Sequence, residues 1–147
     1  MVKPSAFLSL AAMVLISTLL ISGLISGLTP ARADITCSAS EESGIWINPK
    51  AEATALARIE IQTTCNLGER GWKIRALTRC ARTECSWGYA AGVRRADGAL
   101  AALYSTFTAE RLIRMLVDKD SMKIVVVSAF RGSRENAVHR YVFERKY

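Results

Sequence analysis

The sequence predicts an all-β fold, an antiparallel up-and-down meander of about eight strands that closes into a barrel. Short segments alternate between apolar and polar residues, as residues 56–65 do with Ala57, Ile59 and Ile61 on one face. Turn residues such as Asp97-Gly98 separate consecutive segments, so neighbouring strands can join through short hairpins. A meander of eight short strands protects its edges best by closing on itself. Its interior is then filled by side chains or holds one small ligand.

The predicted strands follow one another with short connections. Their expected bounds are 44–48, 56–65, 72–80, 85–95, 100–107, 110–117, 122–130 and 137–144. The sixth strand has an alternative, because Leu112, Ile113, Leu116 and Val117 have helical spacing and Thr108 is a candidate helix cap. Strand-type neighbours and short flanking turns favour the strand. The alternative fold is a sheet with one helix near 109–117.

The N-terminus has the pattern of an export signal. Lys3 precedes an uncharged stretch over residues 6–28, and Ala31-Arg32-Ala33 matches a signal-peptidase site. We therefore expect residues 1–33 to be a signal peptide and residues 34–147 to be a single secreted or periplasmic domain. The uncharged stretch is also long enough to span a bilayer, so the alternative is an uncleaved anchor that holds the domain outside the cytoplasm. A membrane contact is expected only through this segment.

The charge of the chain does not point to a nucleic-acid partner. The sequence has 20 Lys and Arg residues against 13 Asp and Glu residues, a formal net charge of +7. The excess is spread along the chain without a basic block, as on solvated strand faces.

The cysteines predict two disulfides, because an even number in an exported domain is typical of a disulfide framework. Cys80 and Cys85 are the local pair, since opposed residues of a hairpin have the right separation. Cys37 and Cys65 then form the second pair. Zinc is the alternative, but the spacing of Cys80 and Cys85 is loose and the single histidine, His139, is distant in sequence. We expect no metal and no cofactor.

The segment from Trp72 to Val93 predicts the central hairpin. With Cys80 opposite Cys85, Thr78 meets Trp87, Ala76 meets Tyr89, Ile74 meets Ala91 and Trp72 meets Val93. All of these residues lie on one face, because side chains alternate along a strand. A slip of one residue would bury the basic residues of the other face, so the pattern specifies a register.

Six residues are candidates for a ligand pocket. If the barrel closes, four aromatic rings converge on one face with two polar groups nearby, and this suits a small apolar or amphipathic ligand. The candidates are Trp46, Asn48, Trp72, Thr78, Trp87 and Tyr89. The alternative is that the rings simply fill the core.

A second hypothesis places the function on the hairpin loop, where Arg82, Thr83 and Glu84 are displayed on a disulfide-closed tip. A rigid projecting loop loses little conformational entropy on docking, so it suits an extracytoplasmic protein partner or an inhibitor. An enzyme that uses His139 is the least favoured hypothesis, because no G-x-S-x-G elbow accompanies it. We therefore predict a non-enzymatic binding domain.

Two motifs carry resemblances to known groups. Gly44-Ile45-Trp46 resembles the Gly-x-Trp signature of lipocalin- and avidin-type barrels, the calycin group. That resemblance implies that Trp46 plugs one end of the barrel and that Arg140 or Arg145 stacks on its ring. The run from Trp72 to Gly88, with its C-x4-C-x-W-G pattern, resembles a group of uncharacterised secreted bacterial β-domains and implies no known activity. The avidin biotin-binding pattern does not map onto this chain, so biotin is not inferred.

Overall fold

The fold is an eight-stranded antiparallel barrel. The computed structural model describes residues 37–147, and over that range each strand pairs with the next while β1 also pairs with β8. The strands are β1 (Gly44–Ile47), β2 (Leu56–Asn66), β3 (Glu69–Arg79), β4 (Glu84–Arg94), β5 (Leu100–Ser105), β6 (Ala109–Asp118), β7 (Ser121–Phe130) and β8 (Ala137–Lys146). The predicted all-β meander and its closure are confirmed.

The predicted signal peptide, and the alternative anchor within it, lie outside the described residues. Within residues 37–147 the structure has no helix of the length and hydropathy needed to cross a bilayer.

The middle of the barrel is solidly packed. Alternation along each strand turns one set of side chains inward, and these meet in a single buried cluster. The largest side chains that are fully buried in it are Trp46, Phe143, Leu56, Ile59, Ile74, Leu100, Ile113, Met115, Met122 and Ile124. Polar neighbours such as Arg58 and Glu60 pair with each other on the outer face. The same alternation that predicts the strands therefore builds the core.

The doubtful segment forms β6, and the helix alternative is wrong. Ile113 and Met115 are buried inside the barrel, whereas Leu112 and Leu116 lie on the outer face and are each 44% exposed. Leu112 sits directly between Leu103 of β5 and Val127 of β7. These cross-strand aliphatic pairs stabilise leucines on the outer face of a strand. The helical spacing of the local sequence does not indicate such pairs, because they join neighbouring strands.

The register of the central hairpin differs from the prediction. Thr78, not Cys80, lies opposite Cys85, and Ala76 faces two residues, Trp87 and Gly88, between the flanking pairs. Gly88 has a φ of 89°, a conformation that suits glycine, so the extra residue forms a β-bulge. Because a bulge adds one residue, the side chains that follow it point to the opposite face from the one that regular alternation predicts.

This bulge corrects the predicted inner face of β4. Trp87 packs against the core as expected, but beyond the bulge Ala90 does so rather than Ala91. Tyr89 and Val93 instead lie on the outer face, 52% and 61% exposed.

Both predicted disulfides are present. The Cα atoms of Cys37 and Cys65 are 5.6 Å apart, and this bridge ties the segment before β1 to the end of β2. Those of Cys80 and Cys85 are 5.7 Å apart, and that bridge closes the β3–β4 loop. Two disulfides suggest an oxidising, extracytoplasmic environment.

Trp46 and Arg145 plug one end of the barrel. Trp46 is fully buried, and the Arg145 guanidinium carbon lies 4.2 Å from the centroid of its ring. Arg145 also donates hydrogen bonds to the carbonyl oxygens of Ser43 (2.8 Å) and Glu41 (2.6 Å). Gly44 leaves room for this contact, since a Cβ there would lie 3.2 Å from Nη1 of Arg145. Of the two candidate arginines, Arg145 occupies this position.

The segment before β1 completes the closed end. The indole of Trp72 donates to the Ser40 hydroxyl (2.8 Å), and the indole of Trp46 donates to the Glu42 carbonyl (2.8 Å). The buried Glu42 carboxylate pairs with Arg94 at 2.6 Å, and the Arg94 guanidinium lies over the Trp72 ring. Burial disfavours the charged carboxylate. Hydrogen bonds, first of all from Arg94, outweigh that effect and hold the pKa of Glu42 below its ordinary 4.5.

Replacing Arg145 with alanine is expected to lower the free energy of unfolding by about 2–4 kcal/mol, because it removes a cation–π contact and two hydrogen bonds from a charged donor. Arg140→Ala is the matched control, since Arg140 is exposed on the outer face of the same strand and pairs with no carboxylate among residues 37–147. Its expected effect is within about 0.5 kcal/mol. Urea unfolding measures both, and equal losses in the two variants would contradict the plug.

Glu42→Gln is expected to destabilise the protein at neutral pH and much less in acid. Because folding lowers the pKa of Glu42, its ionised form adds stability that is fully present above the ordinary pKa of 4.5. That stability is lost as the pH falls through the folded-state pKa, where the protonated carboxyl resembles the amide. Urea midpoints of both proteins between pH 7 and pH 3 check this. A difference that stays constant over the whole range is the contrary result.

Candidate ligand-binding site

A cavity opens at the end of the barrel opposite the Trp46 plug. In an up-and-down barrel, alternate connections lie at the same end, so the β1–β2, β3–β4, β5–β6 and β7–β8 loops share this mouth. The cavity has a volume of about 610 Å³. Leu56 and Val126, both buried, are among its apolar lining residues. The interior is therefore packed in the middle, plugged at one end and open at the other.

The β1–β2 loop forms one side of the mouth, and Asn48 organises it. The Asn48 side-chain amide donates to the Leu56 carbonyl (2.9 Å), and its side-chain oxygen accepts from the Lys50 backbone (3.0 Å). Farther along, Thr54 and Ala55 exchange backbone hydrogen bonds with Arg79 at the end of β3. The loop is thus bound to the neighbouring strand and places Lys50, Glu52 and Thr54 on the cavity lining.

Aromatic rings supply much of the rest of the lining. Trp87 lies on β4, Phe130 ends β7, and His139 and Tyr141 face inward at the start of β8. The imidazole of His139 stacks on the Tyr141 ring, with centroids 6.2 Å apart and planes 18° apart. Burial raises the pKa of Tyr141 above its ordinary value of 10, so its hydroxyl is protonated at neutral pH. These rings offer flat apolar surfaces with polar edges.

Three cations and one carboxylate complete the lining: Lys50, Arg111, Arg134 and Glu52. The Arg111 guanidinium lies 4.9 Å from the centroid of the Trp87 ring, and Arg134 lies 3.9 Å from that of Phe130. Within residues 37–147, none of these cations forms an ion pair. The site is therefore aromatic and positively charged.

The structure separates the six predicted pocket residues. Only Thr78 and Trp87 line the large cavity. Trp46 and Trp72 belong to the closed end, and Tyr89 lies outside, with Lys73 Nζ 4.2 Å from the centre of its ring. Asn48 lines a smaller neighbouring cavity of about 360 Å³, together with residues that include Lys50 and Arg140. The expected convergence of four aromatic rings on one pocket is wrong.

The predicted partner loop projects beside the mouth. Arg82 and Thr83 are exposed, and the Thr83 carbonyl accepts a hydrogen bond from the Cys80 backbone (2.8 Å). Glu84 begins β4, and its carboxylate lies 2.6 Å from the Arg58 guanidinium on the barrel wall. The loop therefore presents Arg82 and Thr83, whereas Glu84 is already paired.

Sequence reasoning missed most of the cationic and aromatic lining, namely Lys50, Arg111, Phe130, Arg134 and Tyr141. One signal was present for Arg111, because it alternates with Ala109 and Ile113 and so falls on the inner face once β6 is a strand. His139 alternates with Tyr141 and Phe143 in the sequence, and the structure places all three on the inner side of β8.

No family model, no curated protein and no solved structure matches the chain. Within residues 37–147, no group of three or more His, Cys, Asp or Glu side chains is placed to hold a metal ion. The closed eight-stranded barrel with its disulfides is consistent with a calycin-like architecture.

Proposed function

We propose that this protein is a secreted or periplasmic, non-enzymatic binding domain that takes a small amphipathic ligand into the open end of its barrel. The observation that carries the proposal is the cavity of about 610 Å³ at the mouth of an otherwise packed barrel. Ligand sites in proteins have volumes of roughly 300–1,000 Å³ and are concave, with a few polar groups among apolar ones. The mouth of a β-barrel is a preferred place for them.

The lining suits an amphipathic ligand better than a wholly apolar one. Trp87, Phe130 and Tyr141 provide ring surfaces, and Leu56 and Val126 add aliphatic contacts. The Ser128 and Thr78 hydroxyls and the cationic groups give the site polar contacts as well. A ligand with an apolar body and a polar end would match both sets.

The plugged end supports a calycin-type barrel as the finer description of this architecture. Gly44, Trp46 and Arg145 stand in the relation that the Gly-x-Trp resemblance implies, with the guanidinium on the indole. The resemblance implies one plugged end, and the open mouth of a β-barrel is a common place for a ligand. We propose the same division of roles here.

N-phenyl-1-naphthylamine, an uncharged dye whose fluorescence rises in apolar sites, tests the proposal. The oxidised wild-type protein is expected to bind it with micromolar affinity. Ser128→Phe should weaken binding by at least about tenfold, because the benzyl group fills space that a close-packed ligand needs. Fluorescence titration measures the affinity.

Ala129→Phe is the matched control, since Ala129 is the next residue of β7 and is exposed on the outer face. It should bind the dye like the wild type. No binding by the wild type, or equal binding by all three proteins, would contradict a ligand site in this cavity.

A second candidate function is docking of an extracytoplasmic protein on the β3–β4 loop. Its support is the exposure of Arg82 and Thr83 on a loop closed by the Cys80–Cys85 bridge. Under this proposal Arg82→Ala abolishes capture of a partner and leaves dye binding unchanged. If the cavity is the functional site, Ser128→Phe instead weakens dye binding and leaves capture of a protein partner unchanged. Catalysis by His139 remains the least favoured hypothesis.

A further inference from the structure

One cation of the cavity lies where a barrel normally carries apolar residues. The inward positions of β6 are Ala109, Arg111, Ile113, Met115 and Val117; three of them, Ala109, Ile113 and Met115, are almost completely buried, and Val117 packs against the core. Arg111 is half-buried and lies between Ala109 and Ile113 along this face. A guanidinium in such a position loses part of its hydration and needs compensating contacts.

The contacts that Arg111 makes are all with neutral groups. One guanidinium nitrogen donates to the Thr106 hydroxyl at 3.3 Å, and the guanidinium lies over Trp87. Thr106 itself is engaged, because its hydroxyl donates to the Ala109 carbonyl and accepts from the Ala109 backbone. Among residues 37–147, no carboxylate lies within ion-pair distance of Arg111. Its five donors are thus far from saturated by the protein.

The arginines at the closed end of the same barrel have different partners. Arg94 lies 2.6 Å from the Glu42 carboxylate, and Arg145 satisfies two carbonyl groups and lies 3.6 Å from Asp120. Those pairs stabilise a structural plug. Arg111 also points into the barrel, but it has no such partner among residues 37–147.

The rim adds to the positive field. Lys50 and Arg134 line the cavity without ion pairs among the described residues, and Glu52 is the one carboxylate of the lining. Three cations against one anion attract a negative ligand and disfavour a positive one. An arginine fork suits the planar oxygens of a carboxylate, sulfonate or phosphate group.

We propose that the ligand of this cavity is an organic anion, with an apolar or aromatic body against Trp87 and an oxyanion group bound by Arg111. This inference rests on the proposed ligand-binding function and adds the charge of the ligand to it. Arg111 is the specificity-determining residue, because it supplies the counter-charge inside the mouth. Lys50 and Arg134 attract the anion from the rim.

Two dyes that share an aromatic body test this inference. 8-Anilinonaphthalene-1-sulfonate carries a sulfonate, and N-phenyl-1-naphthylamine does not. The wild-type protein is expected to bind the sulfonate about tenfold or more tightly than the neutral dye. Arg111→Met should weaken sulfonate binding by about 10–100-fold, the loss of charged hydrogen bonds, and change binding of the neutral dye by less than about threefold.

Arg114→Met is the matched control. Arg114 lies on the same strand, faces outward and pairs with Asp97, so its loss changes the net charge equally without touching the cavity. It should leave both affinities unchanged. Arg111→Gln provides a second, polar replacement should the methionine variant fold poorly, and its expected binding pattern is the same.

The outcomes distinguish the two proposals. If the wild type binds neither dye, the proposed ligand site itself fails. If it binds both dyes equally, or if the Arg111 variants weaken both equally, the cavity binds ligands but the anion inference is overturned. An equal loss of sulfonate binding in Arg114→Met would show a general charge effect and would also overturn it.

Discussion

The contact between Arg145 and Trp46 determines which end of this barrel is closed. A tryptophan in the first strand fills the bore, and an arginine from the last strand covers it while bonding the chain just before β1. One arginine therefore joins the two ends of the meander and the segment that crosses the bore. That end is sealed by Trp46, Trp72 and the Glu42–Arg94 pair, and the cavity of about 610 Å³ lies at the opposite mouth.

The strands could be predicted from the sequence because buried positions recur with a period of two, as in β2, or because β-branched residues are concentrated, as in β7. The disulfides could be predicted because Cys80 and Cys85 flank a short loop, which left Cys37 and Cys65 as the second pair. The register of the central hairpin could not be predicted from the sequence. A single Gly88 with positive φ adds a residue to β4, and regular alternation contains no sign of such a bulge. Tyr89 was assigned to the wrong face for that reason.

The candidate site was harder to predict than the fold, because it is formed by the ends of strands that are distant in sequence. Trp87 and Thr78 were identified as pocket candidates, and both line the cavity. Arginine is a residue type that usually faces solvent. The pairing of β6 with β5 and β7 is what places the Arg111 side chain on the inner face of the barrel. Closure of the barrel brings the Arg111 guanidinium close to the Trp87 ring, and no local sequence pattern indicates that contact.

The most direct test of a ligand site at the open end uses the indole N–H signals of the three tryptophans. They divide by position, since Trp87 lines the cavity whereas Trp46 and Trp72 belong to the closed end. In ¹H–¹⁵N spectra of the oxidised protein, titration with N-phenyl-1-naphthylamine should shift the Trp87 signal and leave those of Trp46 and Trp72 in place. A shift confined to Trp46 and Trp72, or no shift at saturating dye, would contradict this account of the barrel.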